Sequence, residues 1–273
     1  MKRVVLLTSS ELRHTFFRKS IALEKGISVC KSYCESSEKN LVHKIEDVQE
    51  NKLRHKHLAA RTESEKTFFK TFCDTKEDLS NPVFIQKGAI NDDTYVQEII
   101  NEQPDLIISY GCSIIKPALI EAFPDTFINI HLGLSPYYRG SGTNFWPFVN
   151  NEPEYCGVTY MKIDRGIDTG EIVHQIRPDI HETDTFHTIC NRLLVKSFEV
   201  LGKLILSWPL SKTKHKEPVN FSEKYYKNSD FTEESLIQLY QNFENGQITN
   251  YLTKKEERDT QVPILENPDL SNE

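Results

Sequence analysis

Chemistry-capable side chains interrupt one otherwise apolar run, Phe127-Ile128-Asn129-Ile130-His131-Leu132-Gly133-Leu134-Ser135-Pro136-Tyr137-Tyr138-Arg139-Gly140. Strand side chains alternate, so Asn129 and His131 project from one face while Ile128, Ile130 and Leu132 take the other. One face is core and the other is a site. Downstream, residues 157–163 read as a strand, Asp164-Arg165-Gly166-Ile167-Asp168-Thr169-Gly170 as a tight loop and residues 172–176 as the returning strand. That loop can present Asp168 to His131. An amide donor beside an imidazole can stabilise a developing oxyanion, and a carboxylate can orient the imidazole or relay a proton. Each residue alone has an ordinary explanation: a lone strand His is more often packed than catalytic, and Asp-Thr-Gly is a common turn. An aspartic-protease reading needs two such aspartates, and only Asp168 has that setting. The three together, in this order, favour catalysis.

These residues need a rigid frame, and the chain supplies one. Residues 2–8 form a strand ending in Thr8-Ser9-Ser10, followed by an amphipathic pattern through Leu12, Phe16, Phe17, Ser20 and Leu23, and residues 27–33 supply a second strand. Residues 106–109 are a buried-strand run, Tyr110-Gly111 a turn, 116–123 a short helix and 127–132 a strand. The alternation predicts an α/β fold with a doubly wound, mainly parallel, Rossmann-like sheet. Ligands then sit beyond the carboxyl ends of the strands, where Ser9-Ser10, Tyr110-Gly111 and His131 fall. Residues 185–208 read as one long helix stopped by Pro209, and Thr232-Glu233-Glu234-Ser235 opens a helical stretch to residue 243. We expect a catalytic domain over residues 1–209, with a polar, mostly exposed helical insertion at about 35–80. Residues 210–273 are too short for an independent core and should pack on it as an appendix.

Composition narrows the partners. A chain of 273 residues with 38% hydrophobic content can bury one sizeable core. The net charge of −7 argues against a nucleic-acid footprint. Six scattered cysteines without a C-x-x-C pair indicate reduced thiols, and no apolar run could span a bilayer, so a cytoplasmic protein with no membrane partner is expected. His55-x-His57 invites a metal reading, but it lies in a Lys-rich stretch with no companion ligand, so a solvated helix face is expected there and no metal anywhere. The aromatics Tyr137, Tyr138, Phe145, Trp146 and Phe148 read equally as core, interface or stacking platform.

The Asn-x-His, the Ser-Pro turn with its Arg-Gly, and the Asp-Thr-Gly loop, in this order over residues 105–175, resemble the folate-dependent formyltransferase family. The resemblance implies transfer of the formyl group of 10-formyltetrahydrofolate to an amine, with Asn129, His131 and Asp168 as the catalytic trio. It also implies that the pterin is cradled, largely by backbone groups, between Tyr110, Gly111, Cys112, Ser113 and Ile115 on one side and Ile163 and Asp164 on the other.

Departures from the family's patterns bear on the acceptor. Glycinamide ribonucleotide formyltransferases open with a Gly-rich phosphate loop, whereas Thr8-Ser9-Ser10-Glu11 has no glycine. Methionyl-tRNA formyltransferases carry a basic C-terminal domain, and this tail is short and mixed in charge. The wording from Leu134 to Pro147 is similar to the enzymes that formylate nucleotide-linked amino sugars for bacterial surface polysaccharide (lipopolysaccharide O-antigen). Ser9, Ser10 and Arg13 would then meet sugar hydroxyls and diphosphate at the mouth of the pocket, with Tyr138 and Arg139 also contacting substrate. Ser9, Ser10 and Arg13 read equally as a helix cap and a surface Arg. A 10-formyltetrahydrofolate hydrolase would use the same trio with water, and a folate-binding module would not need it. A homodimer through apolar surface around Trp208, Tyr225 or Tyr226 is a further expectation.

Overall fold

The computed structural model describes residues 1–36, 52–212 and 221–270. Four parallel units come first. They are β1 (Lys2–Ser9) with α1 (Leu12–Leu23), β2 (Ile27–Glu35) leading to α2 (Lys52–Glu65) and α3 (Thr71–Thr75), β3 (Pro82–Ile85) with α4 (Asp93–Glu102), and β4 (Leu106–Tyr110) with α5 (Pro117–Ala122). The site region follows as β5 (Phe127–His131), β6 (Tyr138–Gly140), α6 (Trp146–Val149), β7 (Val158–Lys162) and β8 (Ile172–Ile176). The chain closes with α7 (Phe186–Ser207), β9 (Lys224–Tyr226), α8 (Glu233–Glu244), α9 (Gln247–Thr253) and α10 (Lys255–Gln261).

The main sheet has the order β3-β2-β1-β4-β5-β7-β8. β3 to β5 are parallel, and β7 and β8 are added antiparallel, so the doubly wound, mainly parallel sheet is found as expected. From the carboxyl ends of β1 and β4 the chain winds away in opposite directions, which opens a crevice between them. Thr8 seals its floor by donating to the Tyr110 carbonyl at 2.8 Å. Ile128 and Ile130 bury into the core on the α1 and α7 side, while Val5, Leu7, Ile107 and Phe127 pack under α4 and α5.

The long helix α7 is capped by Thr185, whose hydroxyl accepts from Thr188 N–H, and α8 by Thr232, which accepts from Ser235 N–H. Both use a reciprocal capping box. Leu236, Leu239, Ile248, Tyr251, Val262 and Leu270 join the same apolar cluster as Ile128 and α7.

The polar insertion differs from expectation. Glu35 ends β2 and is buried, residues 37–51 lie outside the described residues, and the helical stretch from Lys52 to Thr75 buries His57, Glu65, Phe69 and Cys73. The few apolar residues there are enough to cover α1: Phe69 stacks on Phe16 at 4.8 Å between centroids. His57 is the clearest correction. Instead of a solvated face it is wedged among Phe145, Phe186, His187, Phe231 and Tyr240, with Nδ1 3.1 Å from the Tyr240 hydroxyl.

Candidate active site

β5 ends with Asn129 and His131 at the carboxyl edge of the sheet. Ser109, its register partner on β4, donates from Oγ to Asn129 Oδ1 at 2.9 Å. With the amide in this orientation Nδ2 meets no acceptor among the described residues and is available as a donor. His131 is buried, with Nδ1 3.2 Å from Asp168 Oδ1 and Nε2 3.4 Å from the Tyr138 carbonyl oxygen.

The turn after His131 is held from below by a polar row across the sheet. Thr159 lies opposite His131 in register, and Gln175 opposite Thr159. Thr159 Oγ1 donates to the Gly133 carbonyl at 2.6 Å and accepts from Ser135 N–H and Gln175 Nε2, each at 3.0 Å. Gln175 Nε2 also donates to the Ser135 carbonyl at 2.7 Å, and Thr143 Oγ1 donates to the Leu132 carbonyl. A Cβ at Gly133 would press on His131 Nε2 and Thr143, so only glycine lets this turn pass beneath the ring.

Asp168 arrives from the β7–β8 loop in a left-handed conformation, φ +53°. Asp164 shapes that loop by accepting from Gly166 N–H at 2.9 Å and Thr169 Oγ1 at 2.8 Å, and Arg139 Nη2 donates to the Ile167 carbonyl at 2.7 Å. Burial alone would raise the Asp168 carboxyl pKa, but the hydrogen bond and charge of His131, the Gly140 N–H and Arg139 bring it below the ordinary carboxylate value. Asp168 is therefore ionised near neutrality. An ionised carboxylate, an imidazole and a free amide converge on one edge of the sheet.

Residues 26–205 match the sequence pattern described as formyl transferase. The chain belongs to the formyl transferase family. It is 35% identical over 126 residues to a methionyl-tRNA formyltransferase of Alkaliphilus oremlandii, covering 45% of this chain and 40% of that one. It is 32% identical over 120 residues to a GDP-perosamine N-formyltransferase of Brucella melitensis, covering 44% and 46%. The match thus spans less than half the length of either relative. The fold is shared with a 4-N formyltransferase from Francisella tularensis, with a TM-score of 0.53 at 17% identity over 87% of this chain and 86% of that one.

Of the segments a formyl transferase would use for its folate, residues 110–113 lie at the β1–β4 crevice. Gly111, at φ +66°, has no room for a Cβ because the His14 ring lies against it. Glu35, missed in the sequence, fixes the loop: its Oε2 accepts from Ser113 N–H at 2.6 Å and its Oε1 from Gly88 N–H at 2.9 Å. Ser113 Oγ is buried without a partner, and Ile115 and Ile163 lie on the same apolar cluster. Apolar walls with backbone and hydroxyl groups between them fit a flat heterocycle with hydrogen-bonding edges. Burial, reinforced by Glu35, pushes the Cys112 thiol up to about 12, so it is no nucleophile there. Tyr110 is buried with its ring toward α1 and α7, leaving its backbone for the loop. Asp164 spends its carboxylate on its own loop.

The expected substrate residues separate. Ser10 is exposed, and Ser9 Oγ donates to the Glu35 carbonyl at 3.4 Å. Arg13 is held by Glu11 at 2.9 Å and Glu65 at 3.2 Å, so its charge is already balanced. Arg139 pairs with Glu223 at 2.7 Å beside the Asp168 loop. Tyr138 has its side chain in the core rather than at the pocket, bonded to Glu152 and to Asn150 Nδ2 at 2.8 Å. Its carbonyl, not its phenol, faces His131. Tyr226 and Trp208 are also engaged within the chain, Tyr226 by stacking on Trp146 and Trp208 by accepting from Lys2 Nζ at 2.7 Å, while Tyr225 is half exposed. Among the described residues no cluster of three His, Cys, Asp or Glu could hold a metal ion, and no helix is long and apolar enough to cross a membrane. Thr159 and Gln175 were legible only as polar residues at the centre of strongly apolar strands.

Proposed function

We propose that this protein transfers the formyl group of 10-formyltetrahydrofolate to an amine, and that the acceptor is an amino sugar carried on a nucleotide. The observation that carries the reading is the His131–Asp168 pair beside the free Asn129 amide. As the amine attacks the formyl carbon, negative charge builds on the formyl oxygen. Asn129 Nδ2 donates to that oxygen, and the long 3.4 Å contact at His131 Nε2 leaves that nitrogen able to turn toward it. A donor of this kind is worth roughly 3 to 4 kcal/mol. A new C–N bond forms, the bond to the folate N10 breaks, and one proton passes from the amine to N10. Asp168, ionised and within reach of His131 Nδ1, relays that proton from the amine toward N10, directly or through water. When bound, the folate supplies the activated formyl group; Tyr110 to Ser113, Ile115, Ile163 and Asp164 would hold it.

The amino-sugar acceptor draws support from the GDP-perosamine relative and from the net charge of −7, which disfavours tRNA. A diphosphate near Ser9, Ser10 and Arg13 would have to compete with Glu11 and Glu65 for the guanidinium. The proposal places the enzyme in the cytoplasm as a homodimer with Tyr225 at its interface. The test is mass spectrometry of nucleotide-linked amino sugars after incubation with enzyme and 10-formyltetrahydrofolate, with glycinamide ribonucleotide, methionyl-tRNA and water as parallel arms. A gain of one formyl group on a sugar nucleotide supports the reading. Formylation only of the ribonucleotide or tRNA, or formate release alone, replaces it.

A further inference from the structure

Polar contacts that flank the catalytic pair come from β6. The Tyr138 carbonyl lies 3.4 Å from His131 Nε2, and Arg139 Nη2 donates at 2.7 Å to the carbonyl of Ile167, the residue before Asp168. β6 is not part of the main sheet. Among the described residues its strand partner is β9, paired in parallel with Tyr138 opposite Lys224, Arg139 opposite Tyr225 and Gly140 opposite Tyr226.

β9 is anchored along its whole length. Lys224 N–H donates to the Tyr137 carbonyl at 2.9 Å, and Ser141 N–H to the Tyr226 carbonyl at 2.8 Å. The Tyr226 ring lies flat on Trp146, 4.0 Å between centroids with planes 7° apart, and its hydroxyl accepts from Asn150 Nδ2 at 2.9 Å. Lys224 Nζ meets Glu152 Oε1 at 2.6 Å, and Ser141 Oγ donates to Asn228 Oδ1. The approach is so close that a Cβ on Gly140, at φ +91°, would collide with the Tyr226 carbonyl. Trp146 belongs to the packed apolar core, so β9 ties β6 to that wall.

We propose that Tyr226 and Lys224 are positioning residues that clamp β6, and through Arg139 and the Tyr138 carbonyl hold His131 and Asp168 in their paired geometry. Neither residue touches the reacting atoms. The C-terminal segment thereby sets the alignment of a pair built from β5 and the β7–β8 loop. The inference takes the catalytic meaning of the pair from the reading above, but its first readout does not depend on it.

That readout is the ring 1H–15N correlation of His131 Nδ1 in the full-length, 15N-histidine-labelled protein, assigned by its loss in His131→Gln. Tyr226→Ala should broaden the signal or speed its exchange by about tenfold or more, whereas Tyr226→Phe, which keeps the stack, should retain it. In formyl transfer, Tyr226→Ala should lower kcat by between about tenfold and 10²-fold with KM for the folate within about twofold, and Tyr226→Phe should restore kcat. An unchanged His131 signal in Tyr226→Ala with a native circular dichroism spectrum overturns the proposal. Should that variant not fold, Lys224→Met decides: a broadened signal supports the clamp and an unchanged one overturns it. A wild-type protein with the signal intact but no transfer to any acceptor would sink the functional reading alone.

Discussion

His131 and the pair His57 and His187 are buried to similar degrees, at 7%, 4% and 8% exposure, in opposite surroundings. His131 has an ionised carboxylate at one ring nitrogen and a carbonyl at the other. His57 and His187 lie against each other, 4.5 Å between centroids with planes tilted by 52°, among Phe145, Phe186 and Phe231, with a tyrosine hydroxyl as the polar contact of His57 and no partner at His187 Nε2 among the described residues. Burial therefore lowers the pKa of His57 to about 4 and that of His187 to about 3, the latter helped by His57. Burial does not by itself distinguish a working histidine from a packed one. The acceptor within reach does.

The largest effect should follow from removing the carboxylate. Asp168→Asn or His131→Ala should reduce formyl transfer by roughly 10³-fold or more while leaving the circular dichroism spectrum unchanged. Near-normal turnover in either variant would show that the pair is structural, like His57 and His187.

Acid tests the other side of the comparison. The folded pKa values of His57 and His187 lie below the ordinary 6.5, and His174 at about 4 and His14 shift the same way through burial. The unfolded chain thus binds more protons than the folded one between about pH 6.5 and pH 3, so stability should fall as pH drops through that window. Protonation of His57 alone is worth roughly 3 kcal/mol across it. His187→Phe should move the midpoint of acid unfolding, followed by tryptophan fluorescence, to lower pH. A midpoint that stays put would mean that other groups govern acid unfolding.

A smaller effect separates the two regions by their support. The turn after His131 rests on Thr159 and Gln175, whereas aromatic rings surround His57. Thr159→Val leaves the Ser135 N–H and the Gly133 carbonyl without their partner at a buried site, which should cost about 1 to 3 kcal/mol in urea unfolding and lower kcat in parallel. Lost stability with unchanged kcat would place Thr159 in the fold's support only.

Much of this was readable in the sequence. Alternating side chains put Asn129 and His131 on one face because strand geometry is local, and the loop signals of Asp164 to Gly170 placed Asp168 because a hairpin return is local as well. The parallel sheet followed from alternating strand and helix. What escaped depends on packing between distant segments. Glu35 read as the first residue of a polar insertion, yet it is buried because two loops, at Gly88 and Ser113, converge on its carboxylate. His57 sits among lysines and reads as solvated, but Phe231 and Tyr240, more than 170 residues away, close over it. Tyr138 looked like a pocket residue because its neighbours are; strand alternation instead sends its ring to Glu152 and leaves only its carbonyl at the site.

The smallest expected effect is the most direct test of the comparison. His57→Phe keeps the ring volume, adds one more aromatic edge to Phe145, Phe186 and Phe231, and gives up the 3.1 Å contact to Tyr240. Unlike His131, its ring faces no carboxylate among the described residues, so the proposed transfer should not notice its loss: turnover should stay within about twofold of wild type. The cost of an unpaired Tyr240 hydroxyl should be about 1 kcal/mol or less, because that side chain is only partly buried and water can replace the histidine. A fall in kcat comparable to that of Asp168→Asn would erase the distinction between the two regions. It would mean that α2, and not only the β5 edge, reaches the reacting atoms.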